Sequence, residues 1–400
     1  MRIASSMLYQ QAITTIDSNQ VGLAKLQSQM SSGLRVQVAS DDPLAAGQVL
    51  SSQKALADVT QWQSNVTTLQ NRLGLEDSTL TSVNQSLAQI QSLALQANNS
   101  TLNNTDRQSL AGAMQQQLNS ILSQANAQDN NGRYLFGGTQ DGSPPFALQQ
   151  PSGVVYNGNS TTTMLPVGGN REIAVNDPGD NTFLNMKSGD GHVVITAGVA
   201  NTGTGYVTDL HVADPTQATG HGYTVSFNGG KYQVVDNVTT NIVASGTYAP
   251  DTAIQFDGLS LTLTGAPENA DTFQVAPSAP QDVFTTVQNL INLVAAGNGA
   301  SPVQRAFQQT GIYGQLQALQ GAQNHISSVL GGVGAREQAL SDANTQLTTV
   351  STQLQTTISG LQSLDYAAAS TKFAQTQLAL QAGEQTYATI QGLSLFNYLR

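Results

Sequence analysis

Apolar positions in this chain follow two patterns, a seven-residue repeat toward both ends and short alternating runs between them. One row holds Val59, Val66, Leu73, Leu80, Leu87 and Ala94, and a companion row three residues later holds Trp62, Leu69, Val83, Ile90 and Ala97. Together they form a heptad seam broken only at Glu76, which predicts a helix from about 44 to 98 that needs partners along its whole length. At 1.5 Å per residue it extends roughly 80 Å. Asn98, Asn99, Ser100, Leu102, Asn103 and Asn104 form a polar break, after which Thr105-Asp106 is expected to cap a helix carrying Leu110, Met114, Leu118, Ile121 and Ala125.

The C-terminal third repeats the pattern with Leu340, Leu347, Leu354 and Leu361, and Ala343, Val350 and Leu364 fill the second row. Tyr366, Phe373, Leu380 and Tyr387 restart the spacing in a shifted register, so a bend or domain boundary is expected between Gly360 and Tyr366. Near the N-terminus Tyr9, Ile13, Ile16, Leu23, Leu26 and Met30 line one helical face. Gly33 can end that helix, Asp42 can cap the next, and Pro43 suits its first turn. Neither end helix has a local core, so they are expected to pair with each other and with copies of themselves.

From about Gly137 to Pro280 the heptads give way to short alternating runs between turn residues. His221–Phe227 and Lys231–Asp236 flank Asn228-Gly229-Gly230 and read as a β-hairpin, with Asn-Gly supplying the positive φ; Phe256–Thr264 reads the same way. The fold expected is a multidomain α+β protein, in which long terminal helices form a coiled-coil or helical bundle and a mainly-β outer domain is inserted between them. Its expected parts are 1–43 with 365–400 as a terminal helical domain, 44–139 with 280–364 as a helical bundle, and 140–279 as the β-insert.

Composition narrows the function. Charged residues are 10% of the 400, and the net charge is −11 without any Lys/Arg cluster, which disfavours nucleic acid and anionic membrane as partners. With no cysteine, thiol chemistry and Cys-ligated zinc are excluded. His192, His211, His221 and His325 lack a zinc spacing, no Gly-x-Ser-x-Gly elbow occurs, and no cofactor is expected. Asp41-Asp42 before Pro43 reads as capping rather than as a catalytic carboxylate pair. Gly331-Gly332-Val333-Gly334 lacks the lysine of a phosphate loop and reads as a helix end or flexible joint. The first residues lack the continuous apolar core of a cleaved secretory signal, and no stretch approaches a membrane span.

Leu26-Gln27-Ser28-Gln29-Met30-Ser31-Ser32-Gly33-Leu34-Arg35 followed by Val38-Ala39-Ser40-Asp41-Asp42-Pro43 resembles the N-terminal signature of flagellins and flagellin-like hook-associated proteins. Val333-Gly334-Ala335-Arg336 and Asp365–Ser370 resemble the family's C-terminal helical region, so the likeness covers about the first 140 and the last 120 residues. Asn131–Thr139, Val175–Phe183 and the ending Leu393–Leu399 resemble the hook-associated protein 3 branch, while Ile254–Phe273 resembles β-elements of several hook-associated proteins.

The resemblance implies a secreted, non-enzymatic structural protein at the hook–filament junction, exported unfolded through the flagellar type III channel. It implies as partners identical copies in a tubular assembly, the preceding hook-associated protein, flagellin, and an export chaperone with the export apparatus. The assembly contacts are assigned to Ile13, Ile16, Leu23 and Met30 and to Phe373, Leu380, Tyr387, Leu395 and Phe396. The same stripes fit an intrachain coiled coil equally well, because a heptad seam does not say whose helix is the partner. Two rival functions stay open: a filament flagellin, and a secreted protein whose β-insert binds a surface through Tyr206, Tyr223, Phe227 and Tyr232.

Overall fold

A computed structural model describes residues 2–99, 102–149, 153–297 and 301–396. In chain order it contains α1 (Arg2–Ser32), α2 (Pro43–Ala97), α3 (Asn104–Ala125), β1 (Phe146–Gln149), β2 (Gly153–Tyr156), β3 (Met164–Gly168) and β4 (Arg171–Ala174). A π-helical turn, Asp180–Leu184, leads to β5 (Met186–Lys187), β6 (Val193–Ala197), β7 (Tyr206–Val212), β8 (Tyr223–Asn228), β9 (Lys231–Asp236) and β10 (Ile242–Thr247). Then come β11 (Ala253–Phe256), β12 (Leu259–Thr264), β13 (Thr272–Pro277), β14 (Pro280–Gln281), α4 (Val283–Ala295), α5 (Pro302–Gln362) and α6 (Tyr366–Phe396). Two compact units result, Met1–Ser64 with Ala343–Arg400, and Asn65–Asp342. Their limits fall inside α2 and α5 rather than at the breaks between helices.

In the larger unit the heptad seam becomes a core. Val66, Leu69, Leu73, Leu80, Val83, Leu87 and Ile90 of α2 and Leu319, Ile326, Val333 and Leu340 of α5 are fully buried. The helices run antiparallel, with Asn84 donating to Ser327 Oγ at 3.4 Å and Gln91 to Gln320 Oε1 at 3.2 Å. Toward its C-terminus the α5 seam fades: Leu354 and Leu361 are half-buried and Val350 is exposed.

The strands make two cores. A five-stranded sheet, in the order β10-β9-β8-β13-β6, and a three-stranded one, β11-β12-β7, are antiparallel throughout. Their inner faces enclose Val225, Val234, Leu261, Leu263 and Phe273, as alternation in each strand requires. The second core is aromatic. Phe183 meets Phe136 at 5.1 Å and Phe146 at 5.4 Å edge-on, and Phe146 also meets Tyr156 and Phe284. Arg72 holds the chain leaving α3 in place, pairing with Asp129 at 2.8 Å and donating to Tyr134 O at 3.1 Å.

Several local expectations are corrected. Asn103, not Thr105-Asp106, caps α3: its backbone is extended, so Oδ1 accepts the Asp106 N–H at 2.9 Å. In the β8–β9 hairpin Asn228 still pairs with Lys231, and the two turn residues with positive φ are Gly229 and Gly230. Gly331-Gly332-Val333-Gly334 neither ends nor interrupts α5; fully buried Val333 anchors the segment, and packing there outweighs the weak helix propensity of exposed glycines. Tyr223 and Phe227 are buried in the sandwich and Tyr206 and Tyr232 are half-buried, so the proposed aromatic binding face is largely core.

Candidate functional site

The two ends of the chain meet in a clasp built from the signature residues. Gly33 takes φ +71° and closes α1 by donating its N–H to Gln29 O at 2.9 Å. The next residues lie antiparallel to the linker between α5 and α6: Arg35 N–H donates to Gln362 O at 2.7 Å and Leu364 N–H to Gly33 O at 2.9 Å. A Cβ on Gly33 would also stand 3.1 Å from the Tyr366 hydroxyl, so both backbone conformation and close approach call for glycine.

Arg35 ties the clasp together. Its Nη2 donates to Leu361 O at 2.8 Å, satisfying a carbonyl in the last turn of α5, and its Nη1 donates to Asp42 Oδ2 at 3.1 Å. Asp42 accepts the Ala45 N–H at 3.0 Å and so caps α2, which holds its carboxyl below the usual range with help from Arg35. Asp41 pairs with Lys25 at 2.7 Å and accepts the N–H groups of Gln37 and Val38, which lowers its pKa to about 2. Asp365 caps α6 through Ala367 N–H and Ala368 N–H at 3.0 and 3.1 Å. The acidic pair at 41–42 therefore serves capping and turn formation.

From this clasp α1 and α6 run back antiparallel. Tyr9 and Tyr387 meet edge-on at 5.1 Å, Gly383 lies against Ile16, and Gly22 lies against Thr376. The hydrogen bond with Tyr9 raises the Tyr387 phenol. The covered stripe includes Tyr9, Ala12, Ile16, Asn19, Leu23, Leu26 and Met30 on α1, where Gly22 and buried Gln29 flank it, and Ala369, Phe373, Thr376, Leu380, Gly383 and Tyr387 on α6. Their spacing alternates between three and four residues, as a coiled-coil seam requires.

Six of the assigned assembly residues, Ile16, Leu23, Met30, Phe373, Leu380 and Tyr387, thus line a seam within one chain. Ile13 sits beside it, 43% exposed. The side chains of Leu395 and Phe396 lie outside the described ones, as does the ending beyond 396. Sequence reasoning missed the outward face: Met7, Val21 and Leu378 are each about 70% exposed. Across both helices the charged residues are Arg2, Asp17, Lys25, Lys372 and Glu384, and Gln, Ser, Thr and Ala fill most of the rest. A surface so poor in charge, with apolar side chains already in water, can bury against further helices at little desolvation cost. Among the described residues no acidic or histidine cluster could hold a metal, and no helix is long and apolar enough to cross a membrane.

Comparison with known proteins bears on the same regions. The bacterial flagellin N-terminal helical region matches residues 3–141, and the flagellin C-terminal helical region matches residues 316–399. The D2-like domain of flagellar hook-associated protein 1 matches residues 196–277, within the sandwich. FlgL of Xanthomonas campestris is 32% identical, with a TM-score of 0.72 over 77% of this chain and 99% of that one. The chain belongs to the FlgL family. A second structure of this kind, flagellar hook-associated protein 3 of Legionella pneumophila, is 29% identical with a TM-score of 0.74, covering 78% of this chain and 98% of the other. Flagellar hook-associated protein 3 of Escherichia coli K12 is 33% identical over 188 residues, which are 47% of this chain and 58% of the relative. The chain therefore spans under two thirds of the length of the curated relatives it matches. FlgL structures share its fold of long terminal helices around a central mainly-β region. The C-terminal flagellin match begins at 316 rather than near 280, so α4 and the first turns of α5 lie outside it.

Proposed function

We propose that this chain is a structural axial protein of the bacterial flagellum, without enzymatic activity, which assembles at the junction of hook and filament and adapts one polymer to the other. One observation carries this reading: the signature stretches at both ends fold into a single clasp that launches α1 and α6 as a pair with a charge-poor, partly apolar outer face. The seam residues Ile16, Leu23, Met30, Phe373, Leu380 and Tyr387 shape each subunit, and the outer faces of the pair, with Ile13, meet neighbouring copies. Head-to-tail contacts of this kind generate helical tubes. Its axial neighbours are then the preceding hook-associated protein and flagellin, since a junction must match a different polymer on each side. Export through the flagellar type III channel, with a chaperone covering the terminal helices, follows from the same reading, because an apolar outer face needs cover until assembly buries it.

Immunogold labelling of intact flagella with an antibody against the sandwich tests the location. A short band between hook and filament is the expected result. Label along the whole filament would instead make the chain a filament flagellin, the one rival that shares both end signatures.

A further inference from the structure

The five- and three-stranded sheets both lie between Val193 and Pro277, so the sandwich joins the rest of the larger unit through two neighbouring segments. These form a short neck. Lys187 pairs with Pro280, Ser188 N–H donates to Ala279 O at 2.9 Å, and Ser278 N–H donates to His192 O at 2.9 Å. Gly191 takes φ +93° within the neck, and a Cβ there would meet nothing within 4 Å. The neck touches α5 at Gly321, where a Cβ would stand 3.7 Å from Lys187 O. Attachment at one such point leaves the angle of a folded body free.

A second attachment lies farther along α5. Val207 N–H donates to Thr310 Oγ1 at 3.2 Å, and Leu210 N–H donates to the Tyr313 hydroxyl at 2.7 Å, which itself faces Leu210 O at 3.3 Å. β7 is an edge strand of its sheet, and the phenol serves both backbone groups of Leu210, as a neighbouring strand would. The spacing matches for a physical reason. N–H groups on one side of a regular strand recur every second residue, but β7 carries a bulge at Thr208, since Asp209 pairs with Thr262 and Val207 with Leu263. The extra residue turns the N–H groups of Val207 and Leu210 outward together, three apart, and residues three apart on a helix share a face, as Thr310 and Tyr313 do. Thr310 is 1% exposed and its hydroxyl donates to Ala306 O, which leaves a lone pair for Val207. Gln317 donates to the Tyr313 hydroxyl and orients it.

From Gly321 to Thr310 is about 16 Å along α5 at 1.5 Å per residue. Over that lever arm the hydrogen bonds to β7 set an angle that the neck alone does not. The sandwich has its own core around Val225, Val234 and Phe273, so it stays folded when this attachment opens, and water then takes the place of Thr310 and Tyr313. We propose that the sandwich is a hinged outer body, with the neck as its hinge and Thr310 with Tyr313 as the latch that sets its angle to α5. The ring of Tyr313 packs on the sandwich core, so Tyr313→Phe keeps the packing and removes the hydroxyl.

The chain has no cysteine, so spin labels at Val238→Cys on the sandwich and Ala335→Cys on α5, both exposed, report the angle in the full chain by double electron–electron resonance. The parent pair should give one narrow distance distribution. Adding Thr310→Val and Tyr313→Phe should widen it about twofold or more, because the closed form then strands the N–H groups of Val207 and Leu210. Thr310→Ser keeps a hydroxyl and should keep the narrow distribution. Without labels, Thr310→Val with Tyr313→Phe should speed hydrogen exchange at Val207 and Leu210 about tenfold or more, while Val234 stays protected. A distribution equally narrow with the latch removed overturns the proposal. So does a broad one in the parent pair, because nothing then holds the angle. Loss of protection at Val234 overturns it too, because Thr310 and Tyr313 then belong to the sandwich's own fold.

Discussion

Glu76 occupies a seam position of α2 that the neighbouring heptads fill with apolar side chains, and it is 1% exposed. Its Oε1 accepts the Asp177 N–H at 3.3 Å, the Asp177 carboxylate lies beside it, and Arg336 of α5 pairs with Asp177. Burial pushes the Glu76 carboxyl well above its usual range, the negative charge of Asp177 adds to this, and Arg336 opposes it in part. In the folded state Glu76 holds its proton more tightly than in the unfolded chain. Its contribution to stability is therefore complete below the usual glutamate range and is lost as pH rises through the raised value. Urea denaturation from pH 4 to 8 should show Glu76→Gln gaining on wild type as pH rises. A constant difference across that range would mean that Glu76 is not the titrating group. The broken heptad made Glu76 visible in the sequence. Nothing there pointed to Asp177 or Arg336 as its partners, because they arrive from other elements only through the fold.

At the scale of elements, the helices obey the heptad rule wherever two of them meet, and local residue preference decides little elsewhere. α5 runs straight through Gly331, Gly332 and Gly334, and a Cβ at any of them would meet nothing within 4 Å. No close approach explains these glycines. Gly332 O accepts Arg336 Nε at 3.3 Å, so Gly331 and Gly334 are the safer sites to change. Gly331→Ala and Gly334→Ala should each stabilise the protein by about 0.5–1 kcal/mol, the helical cost of glycine relative to alanine. Denaturant midpoints with unchanged slopes would show it. Loss of stability would mean that helix propensity does not decide these positions.

At the scale of the whole molecule, α1 and α6 cover only one side of each other, and a two-helix pair cannot do more. Folding and assembly should therefore be separable by face. Leu378→Asp, at a position 69% exposed, should change monomer stability by no more than about 0.5 kcal/mol. The same variant should block incorporation into flagella and abolish motility. Leu380→Asp faces the seam and should instead melt the α1–α6 pair, seen as lost helical ellipticity in the free protein. Normal flagella from Leu378→Asp would show that the outer face is not the contact surface.

Much of this molecule is legible in the sequence because its local rules are periodic. Heptads place α2 and the α5–α6 register break, alternation places β8, β9 and β12, and Gly33, Asp42 and Pro43 mark the first turn. The end signatures carry the family likeness by themselves, as runs of particular residues rather than as a pattern of contacts. Tertiary structure alone decided whose helix each seam faces, since a heptad reports the width of an apolar stripe and not its partner. It placed six of the assigned assembly residues in the seam between α1 and α6, left Ile13, Val21 and Leu378 exposed, and brought Arg35 to the end of α5. Contacts between residues distant in sequence depend on how whole elements pack, and no local pattern carries that information.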